Sequence, residues 1–332
     1  MIHDGKIYIA EQFVPYENMA LEQYLMDTVP KGTCILYLWQ NQNTVVIGRN
    51  QNCWKECHVK ELEQNGGFLA RRLSGGGAVY HDLGNLNFTF LIGKEDYDVE
   101  RQLGVILNAV ASVGINAQKT GRNDITVDGK KISGNAFYFN GRNAYHHGTL
   151  LIGSDKEKAA AYLNVPVDKI RSKGVNSVKS RIVNLSEFCP GLRAELMKQK
   201  LAESFSQVYS CRPKRMETSD IDWSRVEQLR QKFAAPDWIY GRSMPFQYEF
   251  SQRFGWGGVT VRLNVESGMI ADADVYSDAM DETFIAKIPG CLRGCAFSSS
   301  AAAERLKRNF SDQPGWGQYC EDIEQLMIEQ NF

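Results

Sequence analysis

The densest group of chemistry-bearing residues is Arg71-Arg72-Leu73-Ser74-Gly75-Gly76-Gly77-Ala78-Val79-Tyr80-His81-Asp82, set between two strand-like runs. Three successive glycines let backbone N–H groups approach an anion closely, and the two arginines add charge and fixed donors. That combination points to a phosphate or carboxylate cradle, although Gly-Gly-Gly alone is equally the mark of a flexible hairpin. The Gly-Lys-Ser or Gly-Lys-Thr ending of a Walker loop is missing. A second group is Gly121-Arg122-Asn123-Asp124 at the start of a strand, followed after the Asp128-Gly129 turn by Lys131-Ile132-Ser133-Gly134-Asn135-Ala136. A hairpin register brings Asp124 and Lys131 to one end of the same strand pair, one suited to a cation and the other to an anion. Taken singly, each also reads as a turn carboxylate or a solvated hairpin lysine.

Two further stretches carry charge or donors. Tyr145-His146-His147-Gly148-Thr149-Leu150-Leu151 opens the next strand. Neighbours on a strand face opposite ways, so at most one of the two histidines addresses a given site, and their spacing is wrong for a shared metal. Residues 169–181 concentrate Lys169, Arg171, Lys173, Lys179 and Arg181 among glycine and serines. Such a segment suits closure over a nucleotide, or is a solvated basic face. Cys53 and Cys57, like Cys291 and Cys295, have a spacing that superficially matches metal pairs, but Cys53 and Cys57 are expected as neighbours on one helix face. No cysteine lies between 58 and 188, so none of the four stretches contains a thiol nucleophile.

The elements that must position these groups are legible from periodicity. Helical spacing covers 17–29, and short strands are expected at 34–39 and 44–47. Asn52 caps a helix that runs to the Gly66-Gly67 stop, and 68–73 is extended. Alternation over 86–92 predicts a half-buried strand, and a helix over 98–113 is closed by Gly114. Between 125 and 152 the turn signals Asp128-Gly129 and Asn140-Gly141 imply three antiparallel strands. With further helices at 156–163, 193–209 and 222–233, the class is α+β, a mixed sheet with flanking helices. A linker at 239–245, carrying Gly241 and Pro245, separates a second unit of strands at 247–254, 259–265 and 270–276 followed by helices such as 301–310. The expected domains are 1–243 and 244–332.

The chain of 332 residues is long enough for one large and one smaller core. With 38 Lys plus Arg against 39 Asp plus Glu, it has no global positive field to hold nucleic acid or an anionic membrane. Residues 1–13 lack the continuous apolar stretch of a signal peptide, and no run approaches membrane-spanning length. Eight scattered cysteines fit reduced thiols, and a cytoplasmic monomer is the expectation.

Together these stretches resemble the lipoate-protein ligase family, with RRLSGGGAVYHD matching its lipoate-binding loop, GRND and KISGNA its central hairpin and HHGTLL the strand that follows. The likeness extends through Leu38-Trp39, 45–48, 174–181 and Phe254-Gly255-Trp256-Gly257-Gly258, so that nearly the whole chain is covered. It implies the biotin/lipoate-protein ligase fold, class II aminoacyl-tRNA synthetase-like, with a small α+β accessory domain at the C-terminus. It implies ATP, Mg²⁺ and lipoate as ligands, and lipoyl-acceptor domains of 2-oxoacid dehydrogenase E2 subunits or the glycine cleavage H protein as partners. By matching position, Lys131 is the catalytic lysine between the lipoate carboxylate and the α-phosphate, and Arg72, Gly77, Ala78, Val79 and Tyr80 contact ATP. Asn123 and Asp124 match nucleotide and magnesium contacts. Ser74, Gly75, Gly76 and His147 line the acyl or adenylate site, Ala136 and Gly148 are further cofactor-binding positions, and Lys179 and Arg181 lie on an adenylate-covering loop at 174–181. The implied reaction is formation of lipoyl-AMP, then transfer to a lysine. Two other readings stand beside it: an ATP-independent octanoyl or lipoyl transferase, against which the cysteine gap argues, and a non-catalytic lipoyl-adenylate binding module.

Overall fold

Strand formation in the first part of the chain follows its β-branched and aromatic residues, and three of its helices begin where an aspartate side chain satisfies orphan N–H groups. The computed structural model describes residues 2–121, 123–164, 182–242 and 244–332. Strand β1 (Asp4–Ile9) leads into helix α1 (Pro15–Thr28), which starts on a proline preorganised for the first turn. β2 (Thr33–Trp39) and β3 (Thr44–Ile47) are followed by α2 (Cys53–Glu56), α3 (Val59–Gln64) and β4 (Phe68–Arg71). Next come β5 (Val79–His81), β6 (Asn85–Gly93) and α4 (Val99–Ala111), whose cap Asp98 accepts from the Arg101 N–H. β7 (Gln118–Thr120), β8 (Asp124–Val127), β9 (Lys130–Phe139) and β10 (Asn143–Leu151) form the meander, and α5 (Lys156–Tyr162) is capped by Asp155. α6 (Ala194–Tyr209), β11 (Lys214–Arg215), α7 (Trp223–Ala234) and the single turn α8 (Pro236–Ile239) follow.

Eight strands make one sheet in the order β11-β1-β2-β6-β10-β9-β8-β7, parallel at β11-β1-β2 and antiparallel beyond. One face carries Leu36, Leu38, Phe88 and Phe90 against Leu103 and Ile106 of α4 and Met197, Leu201 and Phe205 of α6. The other face is covered by α1, which packs on α7. β6 is therefore buried on both sides, where alternation predicts a half-buried strand. Of the polar half of that alternation, Thr89 donates its hydroxyl to Glu22 of α1 (2.7 Å), and Asn87 Oδ1 accepts from Asn85 Nδ2 on the same strand (2.9 Å). A separate small sheet runs β4-β3-β5, with β3-β4 parallel and β3-β5 antiparallel. The single helix expected after Asn52 is two short ones. Its ladder breaks at Cys57 and His58, where the backbone pairs instead with Tyr162 and Leu163 and Asn164 donates to the Glu56 carbonyl (2.9 Å).

A second compact unit comprises Tyr240–Phe332 together with Gly48–Asn52 and Leu73–Gly77. Its antiparallel sheet is β12 (Tyr248–Phe254), β13 (Gly257–Glu266) and β14 (Met269–Ser277), the last two joined by Ser267-Gly268, both at positive φ. α9 (Glu282–Leu292), α10 (Ser299–Phe310) and α11 (Gly317–Gln330) complete it, with Phe284, Ile288, Leu306 and Leu326 in a core of its own. The glycine stretch is woven into this unit. The Gly76 N–H donates to the Ala279 carbonyl (2.9 Å), Arg49 N–H to the Ser74 carbonyl (2.9 Å) and Ser277 N–H to the Asn50 carbonyl (2.9 Å). Among the described residues no helix is long and apolar enough to cross a membrane.

Candidate active site

The β8–β9 hairpin closes through Asp128 and Gly129, at φ 50° and 74°, the pair of positive angles that a two-residue turn of this hand requires. Its register runs Val127 against Lys130 and Thr126 against Lys131, then slips to Ile125 against Ser133 and Asp124 against Gly134. The extra residue on β9 is a bulge, a device that re-aims a side chain. Its effect is that Lys131 lies along the strand over Gly134: a Cβ built there would stand 2.6 Å from Nζ. The ammonium meets Asp124 at 2.8 Å, with both side chains about a quarter to a third exposed. The lysine carbonyl accepts from the Val183 N–H (3.0 Å).

Asn123 is fastened to the next strand residue along. Its Nδ2 donates to the Asn135 carbonyl (3.0 Å), and its own carbonyl accepts from the Asn135 N–H (2.8 Å) and Nδ2 (3.0 Å). Asn135 Oδ1 then pairs with His146 Nε2 at 2.8 Å, while His146 Nδ1 meets the Gln102 amide at 3.1 Å. Gly148 permits this approach, because a Cβ there would stand 2.8 Å from Asn135 Oδ1 and 2.5 Å from the Phe88 ring. Burial, helped by His147, pulls the His146 imidazole down to about 3, so it is neutral at physiological pH. Ala136, in register with His147, is buried on the adjoining strand.

His147 faces the other way, as strand geometry demands, and joins a buried polar group beneath α1. Its Nδ1 is 2.9 Å from Glu22 Oε1, which also accepts from Thr89 Oγ1 (2.7 Å); Thr89 in turn accepts from Trp39 Nε1 (3.0 Å). Tyr145 packs on the His147 ring at 4.7 Å. Arg72 belongs to the same neighbourhood: burial lowers its guanidinium to about 10, an effect that Tyr145 and Glu22 offset, so it keeps its charge at neutral pH. Burial, Arg72 and His147 hold His81 down to about 3. Sequence reasoning missed Glu22, Thr89, Trp39 and His81 as members of this group. One signal was present: Asn18 and Glu22 are polar residues at i and i+4 among Met19, Ala20, Leu21, Leu25 and Met26, on what is otherwise the apolar side of α1.

The structure thus gathers Lys131, Asp124, Asn123, Ala136 and Gly148 along the meander, and Arg72 with His147 under α1. Val79 and Tyr80 lie on β5, where Tyr80 donates its hydroxyl to Asn43 Oδ1 (3.0 Å). Asp82, the last residue of the first motif, holds a turn, accepting from Gly84 N–H, Ser154 Oγ and Asp155 N–H. Ser74, Gly75, Gly76 and Gly77 are described with the second unit. A Cβ at Gly75 would collide with the Ala279 and Met280 carbonyls. Arg122, Lys179 and Arg181, with the whole 169–181 stretch, lie outside the described residues. Among those described, no group of three or more His, Cys, Asp or Glu stands together to hold a metal. Asp124 offers one carboxylate, a donor set that suits Mg²⁺ only together with nucleotide oxygens and water.

A mixed sheet flanked by helices, carrying this hairpin and followed by a small three-stranded unit, is the architecture of lipoate-protein ligases. A structure of lipoate-protein ligase A bound with ATP is 24% identical, with a TM-score of 0.63 over 72% of this chain and 99% of that one, and shows the shared fold. A structure from the lipoylation system of Thermoplasma acidophilum, described as a bipartite lipoate protein ligase and its E2 lipoyl domain, is 26% identical over 73% of this chain and 98% of that one, TM-score 0.64. P. falciparum LipL1, in complex with lipoate, is 27% identical over 98% of this chain and 99% of that one, TM-score 0.85. The family model for the lipoyl protein ligase A/B catalytic domain matches residues 14–206, and that for the bacterial lipoate protein ligase C-terminus matches 243–327. The chain belongs to the lipoyl protein ligase A/B family.

Proposed function

We propose that this chain is an ATP-dependent lipoate-protein ligase, with 1–243 as its catalytic part and 244–332 as an accessory part. The lipoate carboxylate attacks the α-phosphorus of ATP, giving lipoyl-AMP and pyrophosphate. The deprotonated ε-amine of a lysine on a lipoyl-acceptor domain then attacks the acyl carbon, forming the amide and releasing AMP. The observation that carries the reading is the Lys131–Asp124 pair set over Gly134 at the hairpin bulge. Bringing a carboxylate to a phosphate joins two anions, and a preorganised ammonium between them stabilises the charge that builds up.

Asp124 would hold Mg²⁺ together with nucleotide phosphates, and the ion would neutralise phosphate charge. Arg72 and Asn123, with Gly77, Ala78, Val79 and Tyr80, are assigned to the nucleotide. His147, Gly148, Ala136, Ser74, Gly75 and Gly76 are assigned to the acyl-adenylate, and Lys179 and Arg181 to its cover. A ligand anion taking the Gly76 N–H exchanges it from the Ala279 carbonyl. Lipoate as substrate is supported by the lipoate complex of LipL1, and an E2-type acceptor by the T. acidophilum pair. ATP dependence, as against thiol-mediated transfer, is supported by the lack of any cysteine between 58 and 188.

Exchange of labelled pyrophosphate into ATP tests this with purified protein. Lipoate-dependent exchange is expected without any acceptor present. No exchange, with acyl transfer from an acylated carrier protein instead, would overturn the ligase reading.

A further inference from the structure

The first arginine of the glycine motif does something other than face an anion. Arg71 is buried, and its Nε donates to the carbonyls of Trp238 (2.8 Å) and Ile239 (3.1 Å), with Nη2 donating to Ile239 again (2.9 Å). The contact is mutual, since Trp238 Nε1 donates to the Arg71 carbonyl at 2.8 Å. On its other side Arg71 is in register with Ile47 on β3, and the Arg72 N–H donates to the Ile47 carbonyl (3.1 Å). These partners have one thing in common. The chain leaves the first unit after Ile47, after Arg72 and after Ile239. All three departures are therefore gathered by bonds to two consecutive residues, and the side chain of Arg71 makes the longest reach, across more than 160 positions of sequence.

We infer that Arg71 is a positioning residue: it fixes the root of the glycine loop and couples that root to the start of the linker at Tyr240. A guanidinium is suited to this because its rigid fork bonds two successive carbonyls at once, which a single ammonium cannot do. The alternative is that Arg71 merely caps the exposed carbonyls of α8. The two differ in reach, because a cap affects residues near 236–241 alone, whereas a coupling residue also loosens 73–77, more than 160 positions of sequence from Trp238 on the other side of the contact.

Trp238→Phe leaves an aromatic ring beside Phe233 and removes the indole N–H given to Arg71; Arg71→Met removes the fork, and Arg71→Lys restores the charge. Amide hydrogen exchange in the full chain is expected to rise about tenfold, the scale of one lost charge-assisted or buried bond, in both 73–77 and 240–246 for Trp238→Phe and Arg71→Met, with β10 unchanged. Because the activity arm rests on the proposed function, it is read separately: KM for the carboxylic acid in pyrophosphate exchange is expected to rise about tenfold with kcat within about threefold, and Arg71→Lys to recover part of it. Faster exchange confined to 236–241, with 73–77 as in the wild type, would overturn the inference. If the wild type shows no pyrophosphate exchange, the function proposed above falls, and the amide-exchange comparison still decides the role of Arg71.

Discussion

Lys131 reaches Asp124 because residue 134 has no side chain in the way. The glycine matters here for space and not for backbone angle. Gly134→Ala is expected to push the ammonium off Asp124 while the strand persists, lowering lipoate-dependent pyrophosphate exchange by about tenfold or more with little change in melting temperature, since one misplaced charge-stabilising group is lost and no core contact is. Unchanged exchange would remove Gly134 from the account. The Asp124 and Lys131 pairing was legible in the sequence because both residues flank an explicit Asp-Gly turn, and turn type fixes register. The bulge at Ile132 was not legible: an alternating pattern gives no sign that two residues oppose one, and only the slipped register makes Lys131 lie over Gly134. Glu22 went unread for a different reason, since a carboxylate on a helix is an ordinary surface residue until the sheet beneath it supplies His147 and Thr89.

Among the elements, the meander 124–151 followed its turn signals closely, and β10 separates His146 from His147 as a strand must. Two buried neutral histidines have a thermodynamic consequence. His81 and His146 titrate near 3 in the folded state and near 6.5 when unfolded, so below about pH 6.5 the unfolded chain binds more protons. Stability therefore falls as pH drops through that window, by up to about 1.4 kcal/mol per pH unit for each histidine. Urea unfolding of His146→Gln between about pH 6 and 4.5 is expected to show a shallower pH slope than the wild type, by close to one proton. An identical slope would mean that His146 is protonated in the folded protein. Other elements defied local reading. The strand at 85–93 looks half-buried because Asn87 and Thr89 alternate with apolar residues, yet both faces are covered, and the helix after Asn52 breaks where its backbone finds partners at Tyr162 and Leu163. In each case a distant segment decided the outcome.

For the molecule as a whole, length and the linker composition near 239–245 suggest two domains, whereas nothing in the sequence marks Gly48–Asn52 and Leu73–Gly77 as members of the second compact unit. Those short segments carry no boundary signal, and their partners at 277–282 are some two hundred positions away. The family is equally plain from the motifs and from the matched models, whereas the type of acyl activation rests on the charge chemistry of one hairpin. The most direct test of that chemistry is rapid-quench measurement of lipoyl-AMP formation from lipoate and ATP, without acceptor, by the wild type and by Lys131→Ala. The adenylate is expected to accumulate on the wild type and to form about 10²-fold more slowly or worse on a folded Lys131→Ala protein. Equal rates for the two, or no adenylate from either, would contradict it.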